Sequence, residues 1–349
     1  MVIAVYVDLK IYRSSNADLY FIKNLLHNLA YYHPQHDYFL IRPDAIDEFG
    51  ELDAYKQIHL KINPGLLYNY RINRKTLHTL NKIKANTLLS IDAVLKGGIS
   101  QTVLLTSSNK ISFSSSKLEK LKSILVSSQQ VKNTLETRFR FDAQKILVLH
   151  GGASKTFAPT DDEIKSLVKD KYTDGKEFFV YRGRIKEENN IVALLKAFSL
   201  FKKRQKSSMK LVLMGKLYWG NGDFKKLIGT YKYRDDVVMV TDELLTEEAS
   251  ILAAAYAFIQ PYASNNLFPF DAMKCEVPVL TTKHSTLMEL TSDGASFFDE
   301  KNEADMADKM MLLYKDESLR NRIINNASKI IAAYSWEKTT ELLAKTLVN

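Results

Sequence analysis

FFVYRGRIKEENNIVALLKAFSLFKKRQKSSMKLVLMGK, residues 178–216, passes from an apolar run (Phe178–Tyr181) through a charged loop into a helical pattern (Ile191–Lys203), then into a second apolar run (Lys210–Met214). Ile191, Leu194, Leu195 and Phe198 recur at the spacing of one helix face. Lys202, Lys203 and Arg204 close the pattern, where cations complement the helix dipole. Strand, crossover helix and strand make a βαβ unit with parallel strands. The alternation continues through helix Phe224–Ile228, strand Val237–Val240, helix Thr246–Ala255 and strand Ala257–Pro261. A doubly wound parallel sheet is the expected outcome.

Working back toward the amino terminus, the same alternation is present in weaker form. Strand Met1–Val7 precedes helix Ala17–Tyr32, and strands are expected at Tyr38–Ile41, Leu88–Ile91, Thr102–Leu105, Ile124–Ser127 and Ile146–Leu149, with a helix at Lys117–Leu121. Between His150 and Glu177 the Gly pair, Pro159 and a short charged helix interrupt the strands, which marks a domain boundary. At 349 residues the chain suits two cores rather than one. The expected fold class is α/β, with two doubly wound Rossmann-like domains over residues 1–160 and 161–330. Leu319–Ala333 and Trp336–Leu347 are amphipathic, and residues 331–349 are expected to form a terminal helix packing back toward the first domain.

An apolar fraction of 46% and a charged fraction of 26% are those of a globular protein. Cys275 is the sole cysteine, so no intrachain disulfide can form, and a cytoplasmic setting is the expectation. The opening MVIAVYVDLK reads as a first strand rather than a secretory leader, and no apolar run reaches spanning length. The net charge of +9 lies entirely in residues 1–160, with 21 Lys and Arg against 12 Asp and Glu. Such a half attracts anionic partners, a phosphorylated acceptor or the inner face of an anionic membrane among them. It is equally an ordinary solvated basic surface. Nucleic acid is not expected, because the aromatic residues fall at core spacings or singly in loops.

In open α/β sheets, ligands bind beyond the carboxyl ends of the strands, and phosphates favour helix amino termini. Three loops of the second half fit. Gly183, Arg184, Lys186, Asn189 and Asn190 follow the first strand of the opening stretch, and Gly215 and Lys216 follow its second. The third loop, Pro261–Asp271, includes Asn265, Asn266, Leu267 and Asp271. Arg184 and Lys186 offer cations to a diphosphate.

Those loops carry a resemblance. Gly183-Arg184 followed by Asn190 and LLKAF, then LVLMG, QPYASNNLFPFDAMKCEVPVLTTKHSTLMEL, DGASFFD and Tyr334-Ser335-Trp336-Glu337, resembles the retaining glycosyltransferases of family four, which have the GT-B fold. VSSQQVKNTLETRFRFDAQKILVLHGG and Phe157-Ala158-Pro159 are similar to that family's inter-domain segment, so the resemblance covers about residues 124–349. It implies a nucleoside diphosphate sugar as co-substrate, held in a cleft between the domains, a glycan or lipid-linked acceptor, and neither metal nor cofactor. By this likeness Arg184, helped by Lys186, stabilises charge on the departing diphosphate, and Asp271 orients the ribose. Asn265, Asn266 and Leu267 face the sugar, while Gly183, Asn189, Asn190, Gly215 and Lys216 complete the donor site.

The pattern departs from the family at identifiable places. Asn189 stands where family members have a Lys, and Ala263 where they have the first of two Glu, Asp271 taking the place of the second. Thr102–Lys110 lacks the His of the family's first-domain His-Asp pair. Two readings follow: a sugar transferase of bacterial surface polysaccharide assembly, or a GT-B-like binding or partner subunit without transfer activity. Zinc-ligand spacings, Walker loops, dinucleotide fingerprints and nucleophile elbows are absent from the sequence.

Overall fold

The computed structural model describes residues 1–7, 16–43, 52–62, 66–96, 99–106, 121–139, 142–219, 222–241, 247–263 and 267–348. The chain divides into two compact units, Met1–Gly151 with Tyr334–Asn349, and Gly152–Ala333. The first boundary thus falls at 151 rather than 160, and the second at 333 rather than 330.

The first unit is built on seven parallel strands: β1 (Val2–Val7), β2 (Asp37–Arg42), β3 (Tyr55–His59), β4 (Thr87–Ile91), β5 (Gln101–Leu105), β6 (Ser123–Val126) and β7 (Ile146–Val148). Their order is β3-β2-β1-β4-β5-β6-β7, reversing direction between β1 and β4. Helices α1 (Asn16–Tyr32), α2 (Tyr68–Lys82) and α3 (Gln129–Phe139) belong to this unit. β4 and β5 are buried at every residue, the mark of a parallel strand covered on both faces. Residues 117–120 of the helix expected at Lys117–Leu121 lie outside the described residues.

The second unit contains α4 (Asp162–Thr173), β8 (Phe178–Arg182), α5 (Ile191–Gln205), β9 (Lys210–Met214), α6 (Asp223–Thr230), β10 (Val237–Val240), α7 (Glu248–Ala253) and β11 (Ala257–Gln260). It continues with α8 (Phe268–Lys274), β12 (Val279–Thr282), α9 (Ser285–Thr291), β13 (Ala295–Phe298), α10 (Glu303–Lys315) and α11 (Glu317–Ala333). The strands are all parallel, in the order β10-β9-β8-β11-β12-β13. β8 holds its register with β9 from Phe178 opposite Lys210 to Arg182 opposite Met214. Both units are therefore Rossmann-like α/β domains.

Local chemistry sets the elements of this unit. The Asp161 side chain accepts the Ile164 N–H at 2.8 Å and caps α4, which stops at Asp174 and Gly175 in left-handed conformations. In α5, Leu194, Ala197, Phe198 and Phe201 pack with Met306, Ala307 and Met310 of α10 in one buried cluster, each large side chain contributing about 2 kcal/mol of transfer free energy. Lys202, in the expected basic helix end, is buried: its ammonium pairs with Asp236 at 2.9 Å and donates to the Met209 carbonyl at 3.0 Å.

The last helix, α12 (Trp336–Val348), belongs to the first unit and packs on α1. Trp336 is buried with its ring 5.6 Å from that of Phe21, and Thr339 Oγ1 donates to the His150 carbonyl.

Candidate functional site

The strand order of the second unit reverses between β8 and β11, so a ligand site belongs beyond the carboxyl ends of these strands. Gly183 and Gly215 occupy the first positions after β8 and β9, at φ of 141° and 139°. A Cβ on Gly215 would lie 2.0 Å from the Gly183 carbonyl oxygen, and one on Gly183 would lie 3.1 Å from the Tyr181 hydroxyl. Glycine is required at both places, by approach and by φ. The Gly183 N–H donates to the Met214 carbonyl and the Ile185 N–H to the Lys216 carbonyl, each at 2.9 Å, which carries the pairing past the strands.

Beyond Gly183 the loop is held from inside. The buried Tyr181 hydroxyl donates to the Arg184 carbonyl at 2.6 Å, and the Asn189 amide donates to the same carbonyl at 2.8 Å. Burial, with Tyr262 close by, pushes the Tyr181 phenol well above its ordinary value. Asn189, expected at the donor, therefore faces the loop's own backbone. Asn190 adopts φ 59° and donates from its amide to the carbonyls of Pro261 (2.8 Å) and Glu300 (2.9 Å), joining the loops after β8, β11 and β13. Lys186, half-buried, precedes the single helical turn Glu187–Asn189.

Arg184 and Lys216 meet at an aromatic ring that the sequence reading omitted. The Arg184 guanidinium lies 4.5 Å from the Tyr218 ring centroid, and the Lys216 ammonium 5.8 Å from it. Both distances suit cation–π attraction. Tyr218 is 44% exposed and Lys216 is exposed, so the cluster opens to solvent although the guanidinium is mostly covered. Its sequence signal was an aromatic residue two positions after a cation in a post-strand loop.

Arg182, the last residue of β8, was also missed. It is 5% exposed and lies between the rings of Phe157 (4.6 Å) and Phe268 (4.3 Å). It donates to Glu248 and, at 2.6 Å, to Asp271. The Asp271 carboxylate expected to orient a ribose is instead fully buried, its other oxygen accepting the Ser154 N–H at 2.8 Å. Asp271 thus ties α8 to β8 and to the segment entering the unit. Leu267, just before α8, is buried as well, while Asn265 and Asn266 lie outside the described residues.

Further along the strand ends, Glu300 accepts the Ala263 N–H at 3.4 Å and lies near His284, the residue preceding α9. Burial lowers the His284 pKa below its ordinary 6.5, against an opposing pull from Glu300. Among the described residues, no group of three or more His, Cys, Asp or Glu side chains could hold a metal ion. The arrangement can receive an anion at Arg184 and Lys216, beside the glycine-lined turns of β8 and β9.

The chain is similar to known proteins in sequence and in fold. Residues 162–330 match the family model described as glycosyl transferases group 1. O-antigen chain mannosyltransferase B of Escherichia coli is 24% identical over 229 residues, 64% of this chain and 59% of that protein. The serotype-specific mannosyltransferase WbdA of Escherichia coli is 24% identical over 208 residues, 57% of this chain and 25% of that protein. The matched regions are thus about three-fifths of the first relative's length and a quarter of the second's.

Among solved structures, a glycosyltransferase from Rickettsia africae superposes with a TM-score of 0.79 at 14% identity, covering 99% of this chain and 97% of the other. Anabaena Alr3699/HepE in complex with UDP and glucose gives 0.77 at 15% identity, over 100% and 99%. WaaG, a glycosyltransferase involved in lipopolysaccharide biosynthesis, gives 0.75 at 10% identity, over 99% of each chain. Residues 162–330 thus match the glycosyl transferases group 1 model, in a chain of two Rossmann-like domains whose fold is shared with solved structures that include glycosyltransferases.

Proposed function

We propose that the protein is a glycosyltransferase that moves a hexosyl group from a nucleoside diphosphate sugar to a glycan or lipid-linked acceptor, with retention at the anomeric carbon, in bacterial surface polysaccharide biosynthesis. The observation that carries this reading is the placement of Arg184 and Lys216 around Tyr218 beyond β8 and β9, beside Gly183 and Gly215. The names of the relatives, an O-antigen chain mannosyltransferase and a serotype-specific mannosyltransferase, support the sugar class and the setting.

In the proposed reaction an acceptor hydroxyl bonds to the anomeric carbon on the face the diphosphate leaves, and its proton passes to the departing diphosphate oxygen. The bond from that carbon to the diphosphate oxygen breaks, and the electron pair leaves with the nucleoside diphosphate. Negative charge grows on the departing oxygen, and fixed cations there stabilise the transition state more than the ground state. Arg184 takes this role, with Lys216 and Lys186 completing the positive field. Asn189 and Asn190 act as positioning residues, through the Arg184 carbonyl and the Pro261 and Glu300 carbonyls. Asp271 acts through Arg182 rather than on a ribose hydroxyl.

Thermal unfolding against a panel of nucleoside diphosphates and their sugar conjugates tests this reading. A ligand at about a hundred times its dissociation constant adds roughly 2.7 kcal/mol, which raises the midpoint by several degrees. Lys216→Ala, at an exposed position, should leave the unliganded midpoint unchanged and reduce the shift; Arg184→Ala should weaken binding by about tenfold or more, in line with loss of a charged hydrogen-bonding partner. Unchanged affinity in both variants moves the diphosphate elsewhere. No shift with any nucleotide favours the binding-subunit reading.

A further inference from the structure

Helix α2 is amphipathic in an unusual setting. Ile72, Thr76 and Leu80 are buried, while Tyr70, Arg71, Arg74, Lys75 and His78 are exposed. Residues 54–91, which contain this helix, hold seven Lys and Arg and not one Asp or Glu. Neither Arg71 nor Arg74 has an ion-pair partner among the described residues. A cavity of about 590 Å³ opens beside the helix, lined by Lys61, Leu67, Tyr70, Arg71, Arg74 and Lys75 among others. Of its lining residues Leu67 and Tyr70 are 58% and 63% exposed, and Leu66, the residue before Leu67, is fully exposed.

Cations without counter-charges are stable in water but gain when an anion arrives, so the cavity is complementary to phosphate-sized negative groups. Charge alone would equally suit an acidic protein or a nucleic acid. The neighbouring leucines decide between these occupants. Two adjacent exposed aliphatic side chains and a tyrosine, next to a basic helix face, match the apolar-plus-basic composition of segments that lie in a bilayer interface. Phosphate contacts from a nucleic acid would leave both leucines in water.

We propose that this face of the first unit docks on an anionic lipid bilayer, with Leu66, Leu67 and Tyr70 entering the headgroup layer and Lys61, Arg71, Arg74 and Lys75 receiving lipid phosphates. The surface lies within the first unit and is independent of the donor-site reading above. It gives the basic half of the chain a definite task, holding the protein where a lipid-linked substrate would be found.

The test is sedimentation of the full chain with vesicles of phosphatidylcholine alone, or of phosphatidylcholine with phosphatidylglycerol, at low and high ionic strength. The wild type should bind the anionic vesicles at low salt, with binding weakened by salt. Leu66→Ser with Leu67→Ser, and separately Arg71→Gln with Arg74→Gln, should each reduce the partition coefficient by about tenfold. All four positions are exposed, so thermal midpoints and any nucleotide-induced shift should match the wild type, which separates failure here from failure of the donor site. Equal binding to both vesicle types, wild-type binding by either variant, or no binding at low salt overturns the proposal. So does binding of inorganic phosphate or a single-stranded oligonucleotide that is lost on Arg71→Gln with Arg74→Gln while anionic vesicles are ignored.

Discussion

Arg182 reaches Asp271 at 2.6 Å with both side chains nearly closed to water, and Glu248 and the Ser154 N–H complete the arrangement. Removing one member of a buried ion pair leaves the other charged and unsolvated, which costs about 3–5 kcal/mol. Asp271→Ala should therefore lose about that much stability in urea unfolding, while the protein that remains folded keeps its nucleotide affinity. A cost under about 1 kcal/mol together with lost nucleotide binding would return Asp271 to the ribose. From the sequence, the carboxylate and its place at the start of α8 were legible; its partner was not, since Arg182 is 89 residues away. An aspartate accepts equally well from a sugar hydroxyl and from a guanidinium. Tyr218 escaped for a related reason, because a loop tyrosine becomes informative only when two cations are known to flank it.

The loops after β8 and β9 work as a matched pair, since the backbone of one fills the space that a side chain would need on the other. Gly215→Ala places a Cβ against the Gly183 carbonyl at a φ that L residues rarely adopt, and should cost about 2 kcal/mol or more. Gly229→Ala is the control: that glycine lies inside α6 with open space around its Cβ position, so the change should be neutral or stabilise by up to about 1 kcal/mol. Equal thermal midpoints for the two variants would disprove the close approach. Elements with one dominant signal were legible in the sequence. β8, β9 and β11 are apolar, almost wholly buried runs, and α5 has a full apolar face. β3 and α2 were missed because they are half solvated. In β3 only Tyr55 is fully buried, and in α2 a threonine, Thr76, takes a core position where periodicity looks for an aliphatic residue.

On the scale of the whole chain, two covalent crossings connect the units, after Gly151 and after Ala333. Residues 152–160 have the turn chemistry of a linker, so the sequence suggested a later boundary. Contacts it could not reveal, Ser154 with Asp271 and Phe157 with Arg182, attach them to the second unit. The terminal helix was legible from its apolar spacing, and it seals the first unit through Trp336, Leu343 and Leu347, with Lys122 Nζ donating to the Leu347 carbonyl at 3.3 Å. A chain ending at Ala333 should therefore lose the cooperative unfolding of the first unit and keep a nucleotide-induced stabilisation of the second. Calorimetry with and without nucleotide distinguishes the two, and a fully retained first transition would show that α12 is dispensable.

The same division sets an order of events on the ribosome. Domains ordinarily fold as they emerge, the amino-terminal one first. Here the opening strands leave the exit tunnel long before α12 has been translated, so the patch around Phe21 stays wet while the whole second unit is made. The unit whose strands are made first is completed only when α12 follows, and a stop codon placed before α12 would damage strands translated some three hundred residues earlier.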